Sequence, residues 1–367
     1  MCRLIVFMAI KMFLFLCAYM FKSLCVSKFG LEKFLSKNLR EQSYNCLERF
    51  IELETNNYDL PIQTLVSLRR FQKYISSISN EDLAFLLIHA GLIPEHYQAD
   101  SSEETFYSKL SEDLIREWAY RIGFTHSYLP TTKSSTEDVT ILNERNELIV
   151  CDGKAFRLGR SQAAPNVKDM LKEGDIPKWL YVHHENYRTI GGMVVFPSTH
   201  DWKSSTDFYQ YTSNKNQPIL ALNYQHLSYI LLKGISSEFI INKLQNYYEI
   251  FPEQLRKKGP IKNRDAYYEK IEEAFFGNDI ECWISFNGFS TKVIEEKCFD
   301  TLTKLEKRIK YIQQDIIKEI NLITDISVLR DIAIKSEISN KTDIYIKQLN
   351  NILKFRSTSD GYYDGEY

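Results

Sequence analysis

Glu137-Asp138-Val139-Thr140-Ile141-Leu142, Asn143-Glu144-Arg145-Asn146, Glu147-Leu148-Ile149-Val150-Cys151-Asp152-Gly153-Lys154: two runs rich in β-branched and apolar residues flank a polar tip. That is the pattern of a β-hairpin. A hairpin brings the start of its first strand beside the end of its second, so Asp138 meets Asp152. Period-two alternation sends Asp152 and Lys154 to one side of their strand and Gly153 to the other. Two carboxylates and an ammonium then converge, and close carboxylates repel and resist ionisation. A divalent cation removes that conflict. Mg²⁺ takes oxygen ligands, commonly one or two carboxylates with water and substrate phosphate completing the shell. A lysine beside it can orient the attacking water and stabilise charge developing on a phosphate. The chemistry expected is metal-assisted phosphodiester hydrolysis. The residues alone leave a second reading open, a surface hairpin with an ordinary Lys–Asp ion pair.

Outward from the hairpin the texture alternates. Strands are expected at Trp179–Val182, Gly192–Phe196 and Ile219–Leu222, with helices at Ala164–Lys172, Thr206–Tyr211 and His226–Leu232. This is the α/β part of the chain. Upstream, Ser101, Ser102 and Glu104 form a helix-start signal, and Phe106, Leu110, Leu114, Trp118 and Ile122 fall four apart down one helical face. Helical periodicity also dominates from about residue 31 to 93, and again through Tyr267–Phe276 and Phe299–Ile320 to Leu353. The division expected is an apolar leader over 1–30, an N-terminal helical region over 31–100, a catalytic α/β core over 101–235, a C-terminal helical region over 236–356 and a disordered tail over 357–367.

Asp138, Asp152 and the string Lys154-Ala155-Phe156-Arg157-Leu158-Gly159-Arg160 resemble the active-site segment of the HindIII restriction endonuclease family, a branch of the PD-(D/E)xK nucleases. A fainter similarity runs over roughly residues 60–355. The resemblance implies a PD-(D/E)xK restriction-endonuclease-like core, a central mixed sheet flanked by helices, here with N-terminal and C-terminal helical additions. It implies a type II restriction endonuclease that uses Mg²⁺ to cut double-stranded DNA at a short palindromic site, acting as a homodimer. A companion DNA methyltransferase in the genome goes with that reading. Carried over residue by residue, Asp138 and Asp152 are metal ligands and Lys154 is the catalytic lysine. Glu137 stands where the superfamily motif has proline, a position that bears no metal.

Arg157 and Arg160 follow the catalytic strand and are expected on DNA phosphates, as is Lys168, with ordinary salt bridges as the alternative. Glu104 is a candidate further carboxylate, although its place at a helix start already explains it; Glu112 lies on the same helix. His183 and His184, on an expected strand, would face opposite ways and cannot share a metal. His226 reads as packing or capping.

Of 367 residues 26% are charged, with a formal net charge of -2, which excludes a polybasic binder and leaves nucleic-acid affinity to local placement of Lys and Arg. The seven cysteines, with no CxxC pair, argue against a disulfide framework or structural zinc and for a reducing compartment. Cys151, next to Asp152, reads as a buried hydrophobe. Leu4–Phe21 is apolar enough for a signal sequence or marginal anchor, but Lys11 interrupts it at a cost of about 2.5–3.5 kcal/mol in a membrane. Met12 or Met20 is a second candidate start. The location expected is cytoplasmic, with membrane association as the minor alternative. Two other functions fit less well: a repair or recombination nuclease without a target sequence, and a non-catalytic DNA-binding or membrane-tethered scaffold.

Overall fold

The computed structural model describes residues 46–56, 64–98, 100–130, 136–158, 166–198, 202–214, 216–252, 263–323 and 327–353. The apolar leader, the tail and Arg160 lie outside these residues. Helices α1 (Cys46–Asn56), α2 (Thr64–Ser77) and α3 (Asn80–Ala90) come first, then a short strand β1 (Leu92–Ile93) and helix α4 (Ser102–Arg121). The expected start of α4 is present: Ser101 Oγ accepts from Glu104 N at 3.2 Å, and Glu104 Oε2 accepts from Asp100 N at 2.7 Å. Phe106, Leu110, Leu114 and Trp118 are buried as their spacing predicts.

The hairpin follows as β2 (Val139–Leu142) and β3 (Glu147–Gly153), antiparallel with Val139 opposite Cys151 and Leu142 opposite Leu148. Asn143 and Asn146 make its tip. Asn143 Oδ1 accepts from Arg145 N and Glu147 N at 2.9 and 3.0 Å, and Asn146 takes the left-handed conformation (φ 57°) that asparagine tolerates. After β4 (Phe156–Arg157), which pairs with β1, come α5 (Val167–Met170), α6 (Ile176–His183), β5 (Arg188–Phe196), α7 (Phe208–Thr212), β6 (Ile219–Asn223) and α8 (Tyr224–Lys233). The main sheet has the order β2-β3-β5-β6. Its β2–β3 pair is antiparallel, and β3, β5 and β6 run parallel. This is the expected mixed sheet flanked by helices.

One expected strand is wrong: Trp179–Val182 lies in helix α6. Pro177 occupies the first turn, where proline favours a helix, and burial follows helical spacing. Ile176 and Trp179 face the sheet while Tyr181 and Val182 are exposed. Gly192 on β5 allows that contact, since a Cβ there would lie 2.6 Å from Ile176 Cγ2.

Helices α9 (Ser237–Gln245), α10 (Tyr247–Ile250), α11 (Asn263–Phe276), α12 (Ile280–Asn321) and α13 (Ser327–Leu353) complete the described chain. The 42 residues of α12 make it roughly 63 Å long at about 1.5 Å per residue. Helix α13 packs along it and brings Leu349 and Ile352 into the core. One hydrophobic cluster extends from Leu47 to Ile352, so the flanking helices and the sheet share a core. Trp118 Nε1 donates to Leu227 O at 2.8 Å and Ser228 Oγ to Ala84 O at 2.7 Å, tying α4, α8 and α3 together behind the sheet. Among the described residues no helix is long and apolar enough to cross a membrane.

Candidate active site

The β2–β3 register places Asp138, one residue before β2, opposite Asp152, one residue beyond the Val139–Cys151 pair. Directly opposed residues of an antiparallel pair share a face, so the two carboxylates do. Asp138 N donates to Cys151 O at 3.0 Å, and Asp138 Oδ2 accepts from Gly153 N at 3.0 Å. Lys154 N donates to Val195 O at 2.7 Å, which anchors the lysine to β5 as well. Its Nζ stands 2.5 Å from Asp152 Oδ2. The sequence-predicted trio is therefore gathered at one end of β3.

Helix α4 adds two residues. Glu112 is buried against the end of β3, and Lys109, one turn earlier, places Nζ 2.5 Å from Glu112 Oε2. Their approach depends on Gly153, where a Cβ would lie 2.8 Å from Ile115 Cδ1 and 3.6 Å from Glu112 Cγ. Burial pushes the Glu112 carboxyl up to about 8, with Asp138 adding to the rise and Lys109 opposing it. Asp138 is pushed up to about 6, first by burial and then by Asp152, against the pull of Lys154 and Lys109. Cys151 faces the interior, and burial raises its thiol well above the ordinary range, which keeps it from acting as a nucleophile.

Asp152 Oδ2 is a buried oxygen without a hydrogen-bond partner among the described residues, its lysine contact being an ion pair without hydrogen-bond geometry. No group of three or more His, Cys, Asp or Glu side chains among the described residues is disposed to hold a metal ion as it stands. Asp152 and Glu112 are each turned onto a lysine instead. Two carboxylates on one face of the hairpin, Asp138 and Asp152, still fit a hard cation that needs only one or two protein ligands.

Glu104 is not brought to this cluster. It lies eight residues before Glu112, about 12 Å along the helix, and its Oε1 accepts from Arg157 Nε at 2.8 Å. Arg157 is held internally too, with Nη1 donating to Tyr97 O at 2.7 Å, so the salt-bridge alternative is what this arginine adopts. Lys168 is exposed on α5. His183 ends helix α6, with Nε2 2.6 Å from Glu137 Oε1, which Thr140 Oγ1 also contacts at 2.7 Å. His226 completes a capping box with Asn223, as its position suggested. Sequence reasoning did not include Lys109 and ranked Glu104 above Glu112. The available signal was the Lys109–Glu112 spacing of three, which puts both on one side of a helix already expected to pack before the hairpin.

The model of the HindIII restriction endonuclease family matches residues 59–280, a span that includes Lys109, Glu112, the whole hairpin and Lys154. The chain belongs to the HindIII restriction endonuclease family. The HindIII-family match begins where the similarity was expected to begin and ends at Ile280, the first residue of α12, well before the expected limit near residue 355. Membership in the HindIII family makes the chain a nuclease and its partner DNA. A search of curated proteins finds no match to this HindIII-family chain.

Proposed function

We propose that the chain is a type II restriction endonuclease, hydrolysing phosphodiester bonds of double-stranded DNA at a short palindromic site with Mg²⁺. One observation carries this reading: Asp138, Asp152 and Lys154 meet at one end of β3, with the Lys154 ammonium 2.5 Å from a buried carboxylate. Asp138 and Asp152 would hold the cation, with Glu112 as the neighbouring acid on the α4 side. Bound there, Mg²⁺ would supply Lewis-acid polarisation of the phosphate and of a water molecule. The chain's own residues do the rest. Lys154, held by Asp152 and through its backbone by Val195, sets its side-chain nitrogen where the pentacoordinate phosphoryl group gains negative charge. Lys109 adds a second ammonium on the helix side. Gly153 N–H fixes Asp138 Oδ2, so the carboxylate needs no reorganisation when DNA arrives. Residues 101–235 would form the catalytic core, flanked by helical regions over 31–100 and 236–356. Two strands require two such sites, hence a homodimer working in the cytoplasm beside a methyltransferase that protects host DNA.

Plasmid cleavage tests this. With Mg²⁺ the product should be discrete bands that persist on enzyme dilution, and EDTA should abolish them. Asp152→Ala should lower cleavage by at least about 100-fold, the scale of losing a preorganised charge-stabilising group, while DNA binding persists. A smear would point to a nuclease without a target sequence. Wild-type cleavage by Asp152→Ala would remove the assignment altogether.

A further inference from the structure

Beyond the catalytic cluster, a pocket of about 210 Å³ lies where β6 ends at Asn223 and α8, α11 and α12 meet. Strand β5 separates β6 from β3, so the pocket sits two strand spacings, roughly 10 Å, along the sheet from Asp152. Helix α11 presents Asp265, Glu269 and Glu272 to it, spaced four and three apart and so on one face. Asp265 is committed, since Arg264 Nε and Nη2 stand 3.0 and 2.7 Å from its Oδ1. Glu269 and Glu272 have no Lys or Arg pair among the described residues.

Glu272 receives the Trp283 indole and faces His226, whose Nε2 is 3.8 Å from Oε1, beyond hydrogen-bond reach. His226 Nδ1 accepts from Asn223 N at 3.2 Å, and burial takes the ring down to about 3, so no imidazolium balances the acid. Burial in turn pushes Glu272 up to about 7. Among the lining residues, Gln225 Oε1 and Tyr268 Oη are buried with no hydrogen-bond partner among the described residues, and their residues are only 1% and 7% exposed. Gln225 Oε1 can only accept and calls for a donor, and the Tyr268 hydroxyl can accept a second bond as well as give one. An anion is disfavoured by the carboxylates, an apolar ligand would leave the acceptors unpaired, and no three-ligand metal set exists among the described residues.

We propose that this pocket binds a small organic cation, an alkylammonium or guanidinium group, with Glu269 and Glu272 balancing its charge and Gln225 and Tyr268 accepting its N–H bonds.

The test uses the full chain without DNA. 1,4-Diaminobutane is titrated by calorimetry and thermal unfolding, with KCl at matched ionic strength as control. Wild type should bind saturably and gain Tm beyond the salt control, and Glu272→Gln should weaken binding at least tenfold. Glu269→Gln, on an exposed residue that cannot endanger folding, should weaken it several-fold. Should the diamine also dissociate a self-associated form in wild type but not in Glu269→Gln, the natural cation is a Lys or Arg side chain of a second copy, and the site stands. A response equal to that of KCl, or equal in all three proteins, would overturn the proposal.

Discussion

Two acids at the end of β3 are each met by one lysine, Asp152 by Lys154 and Glu112 by Lys109, both at 2.5 Å. The lysines offset a repulsion that otherwise disfavours grouping Asp138, Asp152 and Glu112 in one buried spot. They do so incompletely, because Glu112 and Asp138 still stand near 8 and 6, above their ordinary 4.5 and 3.8. The folded chain therefore holds these two protons after the unfolded chain has released them. Their contribution to stability is fully present below about pH 4 and is lost as the pH rises through 6 to 8. Metal-free protein should lose Tm over that interval, and Glu112→Gln should flatten its upper half. Mg²⁺ displaces the same protons, so the Tm gain it gives should be larger at pH 8 than at pH 6. Thermal unfolding at four pH values, with and without Mg²⁺, measures both slopes. An unchanged slope in Glu112→Gln would show that another group governs the trend.

At the scale of elements, what was legible in the sequence is what local geometry determines. The hairpin could be read because its ends are ordered by strand alternation and one tight turn, and Asp138, Asp152 and Lys154 came with it. Glu112 and Gly153 stand 41 residues apart in the chain, and no periodicity states which turn of α4 meets the end of β3. Glu104 was preferred to Glu112 in the sequence, and packing reversed that order. Arg157 was expected on phosphate from its sequence neighbourhood, whereas Glu104 and the Tyr97 carbonyl, more than fifty residues upstream, hold it. Trp179–Val182 misled because a short apolar run, three of its four residues β-favouring, reads alike in a strand and in a short helix. The α4–β3 contact is testable at Gly153. Gly153→Ala drives a methyl against Ile115 Cδ1, and overpacking of this kind costs about 1–3 kcal/mol. Ile115→Val, which removes that Cδ1, should cost about 0.5–1.5 kcal/mol alone yet recover most of the loss in the double variant. Additive losses in urea unfolding would mean that the two groups do not meet as described.

Across the whole molecule, the first described helix and the longest one are joined by charge inside the shared core. Lys297 on α12 is 1% exposed, with Nζ 3.4 Å from Glu48 Oε1 and 3.4 Å from Tyr107 Oη, and Lys304 Nζ stands 3.1 Å from Glu48 Oε2. Burial alone would raise the Glu48 carboxyl, but Lys297, Lys304 and His96 together bring it below its ordinary range. Its sign is thus opposite to that of Glu112: the contribution is present above the ordinary glutamate range and is lost as the pH falls through the folded value. Removing one side of such a pair leaves a buried charge, whereas removing both leaves an apolar contact. Lys297→Met should therefore cost about 3 kcal/mol, the low end for breaking a buried pair because Lys304 remains. Adding Glu48→Leu should restore most of that, since Lys304, 40% exposed, can turn to solvent. Urea unfolding of wild type, both single variants and the double variant completes the cycle. A double variant no more stable than Lys297→Met alone would show that the pair does not couple α1 to α12, leaving apolar packing as the link between the two helices.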